Sequence, residues 1–425
     1  MGKLYIVHSV DVEGPMTETL HATFERMQAY GLPDSIEPSD ENLNKLQNGT
    51  FRGLDPSLSQ LIQNIFNKES LSYLNNWDEI DEMLSVINSE QFRNKYSDKN
   101  GNPYLLSWFI YDHHEGFTNN PRFHEVGTHK IFDHYIPLIS NNNYNDEIYW
   151  HYHAPAFSGD ALESNTCWSN HAMHEEIISK RIIDKQWYFS CYRAGMCIEN
   201  NDSSHWLEMF IPFDFTPRMH ENHLDITKVD FDWRGIPKIW GAWHPDWYDY
   251  RKPGSMKRYM FRTADLNTYN SKLSFEDVSA AFIQAKENGK SVLSYFNHDY
   301  RDMRPEINMA YEIISQASED FPDVEWEFCS ALEAAQKYLN LNNQKPKLNM
   351  SLVENILHVK SNTEIFGPQP FLAIKENDKY FRDNFYLNEH NHWIYKFRKF
   401  NDVQSFGIAA NSPNGIYDII VKHLK

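Results

Sequence analysis

From residue 4 to residue 338 short apolar runs alternate with amphipathic stretches of helical period. This alternation restricts the fold more than any other feature. Parallel strands need long crossover connections, usually helices. A parallel sheet is covered on both faces, so its strands read as nearly continuous apolar runs. Runs 4–12, 104–111, 147–153, 187–192, 291–296 and 324–329 have that character, and 211–215 and 236–243 are shorter candidates. Between them lie helical patterns. Asp78 caps one that carries Ile80, Leu84 and Ile87, and others span 130–140, 174–185, 306–317 and 331–338. Ser274-Phe275-Glu276-Asp277 is a capping box opening a further helix. About seven β–α units fall between residues 1 and 340. The pattern predicts an α/β fold, a β/α barrel with its site at the C-terminal ends of the strands. An open doubly wound sheet also places a site there, but the chain has no glycine-rich phosphate loop.

Two stretches break the alternation. Residues 16–75 read as an insertion, with helices near 17–30 and 57–66 around a polar stretch at 34–50. Asn342-Asn343-Gln344-Lys345-Pro346 reads as a linker. Beyond it, short alternating segments separated by turn clusters predict a small all-β, sandwich-like accessory domain over 345–425.

A net charge of −19 argues against nucleic acid and anionic lipid as partners. Four cysteines, Cys167, Cys191, Cys197 and Cys329, do not make a disulfide framework. No apolar run approaches membrane-spanning length, and strand-like sequence begins at once, so a cytoplasmic protein is expected.

Ionisable residues gather where strands end: Asp11, Asp112, His151, Arg193 and His298. Asp11 and Glu13, two apart, point the same way. They are either carboxylates that divide metal binding and base work or a surface acid pair. His151 and His153 are either imidazoles sharing a metal or ordinary core or surface histidines. Arg193 either orients a carboxylate by bidentate pairing or makes a structural salt bridge. His298 either donates a proton or stabilises an oxyanion, or is a structural histidine. A second histidine-rich stretch, His124-Glu125-Val126-Gly127-Thr128-His129 with His134 beyond it, competes with 151–153. The run from Trp240 to Tyr248, with Trp243 at its centre, either lines a sugar groove or is core. His174 reads as a solvated helix-start residue.

Taken in order, Val10-Asp11-Val12-Glu13, the strand at 107–111, Asp146-Glu147-Ile148-Tyr149-Trp150-His151-Tyr152-His153, Tyr192-Arg193-Ala194-Gly195 and Phe296-Asn297-His298 form a familiar series. It resembles the motif order of the polysaccharide deacetylase superfamily (carbohydrate esterase family 4) over roughly residues 1–340. The resemblance implies a distorted seven-stranded β/α barrel. It also implies a hydrolase that uses a divalent metal, zinc first, to remove an N-acyl group (acetyl or formyl) from a sugar or polysaccharide precursor. Asp11 is then the base, Glu13, His151 and His153 the metal ligands, Arg193 the orienter of the base and His298 the acid. Asp112, His113, His129 and His134 line the same mouth, and Trp243 contacts the sugar. Family members have a helix between the second strand and the histidine motif. Residues 130–140 fill that slot, so His151 matches better than 124–129. Three departures stand out. The usual Asp-Asp is Asp11-Val12-Glu13, the second histidine follows two residues after the first instead of four, and Gly195 replaces a proline. They leave an alternative, a catalytically altered carbohydrate-binding or scaffold protein on the same barrel.

Overall fold

The computed structural model describes residues 2–112, 117–161, 163–165, 167–170, 172–218, 232–267, 272–342 and 344–424. His113, expected at the mouth of the site, lies outside the described residues. Ten strands form one sheet: β1 (Gly2–Val12), β2 (Ser107–Tyr111), β3 (Glu147–Tyr152), β4 (Cys191–Ala194), β5 (Phe213–Asp214), β6 (Ala242–Trp243), β7 (Tyr259–Phe261), β8 (Thr263–Asp265), β9 (Lys290–His298) and β10 (Val324–Phe328). Every pairing is parallel except that of β6 with β7. β1 is the hub. It pairs with β9 along one edge and shares the other between β10 and β2.

The strand count differs from the expected seven. β6 is an extra antiparallel strand, β10 takes only the first part of one edge of β1, and the segment 259–265 is divided at Arg262. The first part of that segment pairs with β5 and the last part with β9, so the sheet curls toward its own start.

Strand periodicity divides the sheet into two faces. Leu4, Ile6, Val10 and Val12 pack outward, in a cluster with Ile80, Leu84, Val278, Phe282, Ile307 and Ile314 of the surrounding helices. Tyr5 and Val7 pack inward with Phe109, Tyr149, Cys191, Phe213, Phe215, Phe261 and Val292. The helix Ala331–Leu339 contributes Ala331, Ala334 and Ala335 to the inner cluster. Following the inner face along each strand leads to Asp11, His151, Arg193 and His298, so the apolar filling gives way to the site.

β2 and β4 begin later than their apolar runs suggest. The backbone before β2 is used elsewhere: Tyr104 N–H donates to Arg93 O, and Leu106 N–H to Asp146 Oδ1. Before β4, Trp187 N–H closes the end of helix Met173–Lys185 on Arg181 O, and Phe189 O accepts from Asn411 Nδ2. The Arg93–Asp146 pair is fully buried. Arg93 donates to Asp146 at 3.0 and 2.7 Å, and also to Ile87 O and Tyr104 O. Asp146 accepts as well from Trp108 Nε1. One ion pair thus ties the helix Glu90–Lys95 to the starts of β2 and β3.

The insertion carries a small core of its own, with Phe24, Met27, Leu32, Leu46, Ile62 and Phe66. A helix that the sequence did not signal, Asp40–Gln47, lies in its polar stretch. Ser39 caps it, but Leu46 is its one buried residue, too little for an apolar stripe. His174 also corrects its expectation. It is buried against Trp168 of the preceding turn and Trp206 of the helix Asn201–Glu208.

After residue 345 the chain forms β11 (Leu348–Val353), β12 (Ile356–Ser361), β13 (Phe371–Glu376), β14 (Lys379–Asp383), β15 (Tyr386–Glu389), β16 (His392–Lys396), β17 (Val403–Asn411) and β18 (Tyr417–His423). These make two antiparallel four-stranded sheets, β11-β12-β16-β15 and β14-β13-β17-β18. Leu357, Val359, Trp393, Leu372, Ile374 and Phe406 pack in one core between them. The second sheet also lies on helix Met173–Lys185 so closely that a Cβ on Gly407 would stand 2.5 Å from Ile182. The four cysteines are free thiols, and no helix among the described residues is long and apolar enough to cross a membrane.

Two stability predictions follow from buried polar groups. Asp146→Ala strands Arg93 without its anion and should cost about 3–5 kcal/mol in denaturant unfolding. His8, fully buried on β1, bridges Tyr104 Oη and Asn297 Oδ1, each at 2.9 Å. Burial lowers its pKa to about 3. The folded chain therefore binds fewer protons than the unfolded chain between the ordinary histidine value and about 3. Stability is full above that window and should fall by about 1.4 kcal/mol per pH unit within it. His8→Gln should remove this part of the slope in unfolding curves taken from pH 7 to pH 4.

Candidate active site

The site is built from strand ends, and register aligns them. Asp11 lies opposite His298 of β9, and His151 lies opposite Arg193 of β4. Asp11 and Glu13 share the inward face of β1 and the turn that follows. His151 and His153 do the same at the end of β3.

Arg193 organises the centre. Its Nε donates to Asp11 Oδ1 at 2.6 Å and its Nη2 to Asp11 Oδ2 at 2.9 Å, a bidentate pair with both partners buried. A further guanidinium N–H donates to Phe215 O, and Phe296 lies 3.9 Å below the guanidinium carbon. Burial pushes the Asp11 carboxyl up. Arg193, His151 and His298 outweigh it and hold the group below its ordinary range, so Asp11 is an anion.

Glu13, His151 and His153 converge. His151 Nε2 is 3.0 Å from His153 Nε2, and Glu13 Oε1 is 3.8 Å from the first and 3.4 Å from the second. Among the described residues this is the one cluster of three or more His, Cys, Asp or Glu donors close enough to hold a metal ion. Its donor set fits zinc. Bonds of about 2.0–2.1 Å in tetrahedral array put ligand atoms about 3.3 Å apart, and the three separations lie around that value. The protonation pattern fits too. His151 Nδ1 sits 3.1 Å from Arg193 O, which can only accept, so the proton is on Nδ1 and the Nε2 lone pair faces the cluster. Burial opposes the charge on Glu13, but His153, His151 and His124 hold its pKa well below the usual carboxylate value. Burial lowers the pKa of His153 and keeps its imidazole neutral.

His298 closes the site, with Nε2 3.9 Å from both Asp11 Oδ2 and Glu13 Oε1. Burial lowers its pKa to about 4, against the pull of Glu13 and Asp11. Its Nδ1 is buried without a hydrogen-bond partner among the described residues, a polar atom left for substrate or water to satisfy.

Two residues of the site were not assigned from sequence. Asp299 accepts from the backbone N–H groups of Glu13 and Gly14 and from Tyr135 Oη, at 2.7–3.2 Å, and so fixes the turn that aims Glu13. Gly14 takes φ +74° in that turn, where a Cβ would stand 3.0 Å from Trp77. Burial raises the Asp299 pKa to about 6. His124 places Nδ1 3.6 Å from Glu13 Oε2, on the side of the carboxylate away from His151 and His153. It opens the rival histidine stretch, but it reaches the same site from a loop without periodicity.

The remaining candidates lie elsewhere. His129 faces Asp184 at 3.2 Å, and His134 faces Asp81 at 2.7 Å while stacking on Trp77. Asp112 is buried in an ion pair with Arg181. Trp243 is buried in a cluster with Ile198, Trp233, Ile236 and Met260, so the core reading of that aromatic applies to it.

Gly195 and His153 depend on each other. A Cβ at 195 would stand 2.2 Å from His153 Cδ2. The imidazole occupies the space that a side chain at 195 would fill. A histidine at 153 therefore requires glycine at 195. Met196 and Cys197 then take positive φ, both 55°, as the chain turns away.

No family model matches the chain, and no curated protein shows significant similarity to it. Among solved structures the chain is matched to a glycoside hydrolase/deacetylase candidate from Parabacteroides distasonis, at 11% identity over 90% of this chain and 85% of the other, with a TM-score of 0.38. A polysaccharide deacetylase candidate from Mycobacterium smegmatis is matched at 12% identity over 83% and 96%, with a TM-score of 0.34. Scores this low carry no weight for function, which rests on the residues themselves.

Gly195→Ala should push the His153 ring aside and, if the cluster holds zinc, weaken its binding about 10- to 100-fold, the range for displaced supporting contacts. Titration against a competing chelator measures this, and an unchanged affinity would remove His153 from the ligand set.

Proposed function

We propose that the chain is a metal-dependent hydrolase that removes an N-acyl group, acetyl or formyl, from a sugar or polysaccharide precursor. The observation that carries this reading is the juxtaposition of an arginine-clamped Asp11 with the Glu13, His151 and His153 cluster and with His298. The motif order described from the sequence supports it. The pairing of 259–265 with both β5 and β9 supports a distorted seven-stranded barrel under that site, with residues 1–340 as the β/α unit and 345–425 as a sandwich-like accessory unit.

Glu13, His151 and His153 would hold the cation, which when bound supplies Lewis acidity toward an amide carbonyl and a more acidic water. The protein provides the proton traffic. Asp11, kept ionised by Arg193, accepts a proton from water at the oxygen that faces His298. Arg193 fixes both carboxylate oxygens, so the base has one orientation. His298 is neutral at rest, so the proton it hands to the departing nitrogen arrives during turnover. Asp11 Oδ2, 3.9 Å from His298 Nε2 and carrying the proton taken from water, is its source. Asp299 holds the turn that carries Glu13 and takes no part in the proton path.

Purified protein loaded with zinc should release acetate or formate from one member of a panel of N-acylated sugars. Asp11→Asn should lower kcat by about 10²–10⁴-fold with metal content unchanged, and His151→Ala should lose metal and activity together. A chain that neither retains zinc nor releases acid from any member would be a binding protein on this scaffold.

A further inference from the structure

The strand β3 is polar at both ends of one face. Glu147, Tyr149 and His151 alternate onto the inner side of the sheet. His151 belongs to the candidate active site. Glu147 opens the strand four residues earlier, about 13 Å away at about 3.3 Å per residue. It lines a cavity of about 630 Å³ at the end of the sheet where the strands begin. The end of helix Lys130–Ser140, the start of helix Ala331–Leu339 and Trp187 form the other walls.

No arginine, lysine or histidine lines this cavity among the described residues, whereas three carboxylates do. They differ in how they are matched. Asp146 is bound by Arg93. Glu333 has Lys337 at 2.9 Å. Glu147 has no cation at ion-pair distance among the described residues. Burial raises its pKa, and Glu333, a charge of like sign, adds to the rise against the pull of the Tyr149 and Ser330 hydroxyls.

Hydrogen bonding nonetheless shapes Glu147 as an anion. Tyr149 Oη and Ser330 Oγ both donate to its Oε2, the second at 3.0 Å. Each hydroxyl accepts a backbone N–H from the first turn of helix Ala331–Leu339, Leu332 onto Tyr149 at 3.0 Å and Glu333 onto Ser330 at 3.2 Å. The hydroxyl protons are thereby directed at the carboxylate. Oε1 receives no donor among the described residues, and it stays accessible. Gln336 directs its Nε2 to Asn414 O at 2.9 Å, which leaves its Oε1 as a further acceptor. Ile148, Leu332 and Trp187 add apolar surface. A ligand for such a wall must bring donors, positive charge and carbon, since a carboxylate withdrawn from water is ordinarily matched by a cation. These carboxylates are not grouped closely enough to hold a metal ion.

We infer that this cavity binds a primary ammonium group on a small carbon frame, with Glu147 Oε1 as its anion. An ammonium presents three donors and no acceptor, which suits a wall of acceptors. The apolar side chains receive the carbon frame. Two sources carry that chemistry, an amino sugar and an aliphatic amine. The cavity shares β3 with the candidate active site but no residue of it, so the assignment holds whether or not the chain hydrolyses an amide.

Calorimetric titration of the purified full-length chain compares two matched pairs, glucosamine with glucose and cyclohexylamine with cyclohexanol. Within a pair the probes differ by an ammonium in place of a hydroxyl. At least one amine should bind about ten- to hundred-fold tighter than its partner, the worth of a hydrogen bond to a charged group. A gain in the first pair alone identifies an amino sugar, and a gain in the second identifies the ammonium on an aliphatic frame. Glu147→Gln retains an acceptor for both hydroxyls and should remove the gain. Glu333→Gln should reduce it several-fold. Amines that bind no tighter than their partners, or a folded Glu147→Gln chain that keeps the gain, would overturn the proposal. If Glu147→Gln does not fold, an unchanged gain in Glu333→Gln overturns it instead.

Discussion

The buried pair of Arg193 and Asp11 holds the centre of the molecule together. It joins β4 to β1, reaches the end of β5 through Phe215 O, and rests on Phe296 of β9. An isolated charge in that position would be expelled or neutralised, since desolvation costs several kcal/mol per ion in the order of about 3–5 when a partner is lost. The two residues are therefore obligatory to each other. Their bidentate geometry leaves Asp11 ionised and held in one orientation. The backbone carbonyl of the same arginine fixes the tautomer of His151. One residue thus orients both Asp11 and His151.

The face that carries this pair has two parts with one cause. Side chains alternate along a strand, so the residues that fill the concave face of the curled sheet below and those that form the site above belong to a single series. Tyr5, Val7 and Asp11 lie on it in β1, Tyr149 and His151 in β3, Cys191 and Arg193 in β4, and Val292 and His298 in β9. The apolar part excludes water from beneath the polar part. That lowers the local dielectric and strengthens every interaction among Asp11, Glu13 and the histidines. The pairing of Gly195 with His153 shows how far the polar part is packed as a core is packed. The ring of His153 after β3 has its counterpart as a missing side chain after β4.

The insertion has a similar relation to the mouth. It folds around its own apolar cluster, yet its ends are hydrogen-bonded to the loop at 122 and the turn at 300. Its composition alone marks it as a polar interruption. Its position makes it a wall of the site.

The sequence by itself determined the β–α alternation, the first strand and the pairing of Asp11 with Glu13 and of His151 with His153 on one face. These are local properties, written in periods of 2.0 and 3.6 residues that covalent geometry imposes on every chain. It also placed Arg193 and His298 at strand ends. Only the tertiary structure decided which of the other histidines meets Glu13. His124 reaches it, whereas His129 and His134, close by in sequence, turn to Asp184 and Asp81. Only the tertiary structure showed Asp299 as the clamp on Glu13, Gly195 as the room for His153, and Trp243 as core. Each of these contacts joins segments separated by tens to hundreds of residues, from Gly195 against His153 to Asp299 against Glu13. Such contacts depend on register and loop path, and no local period encodes either.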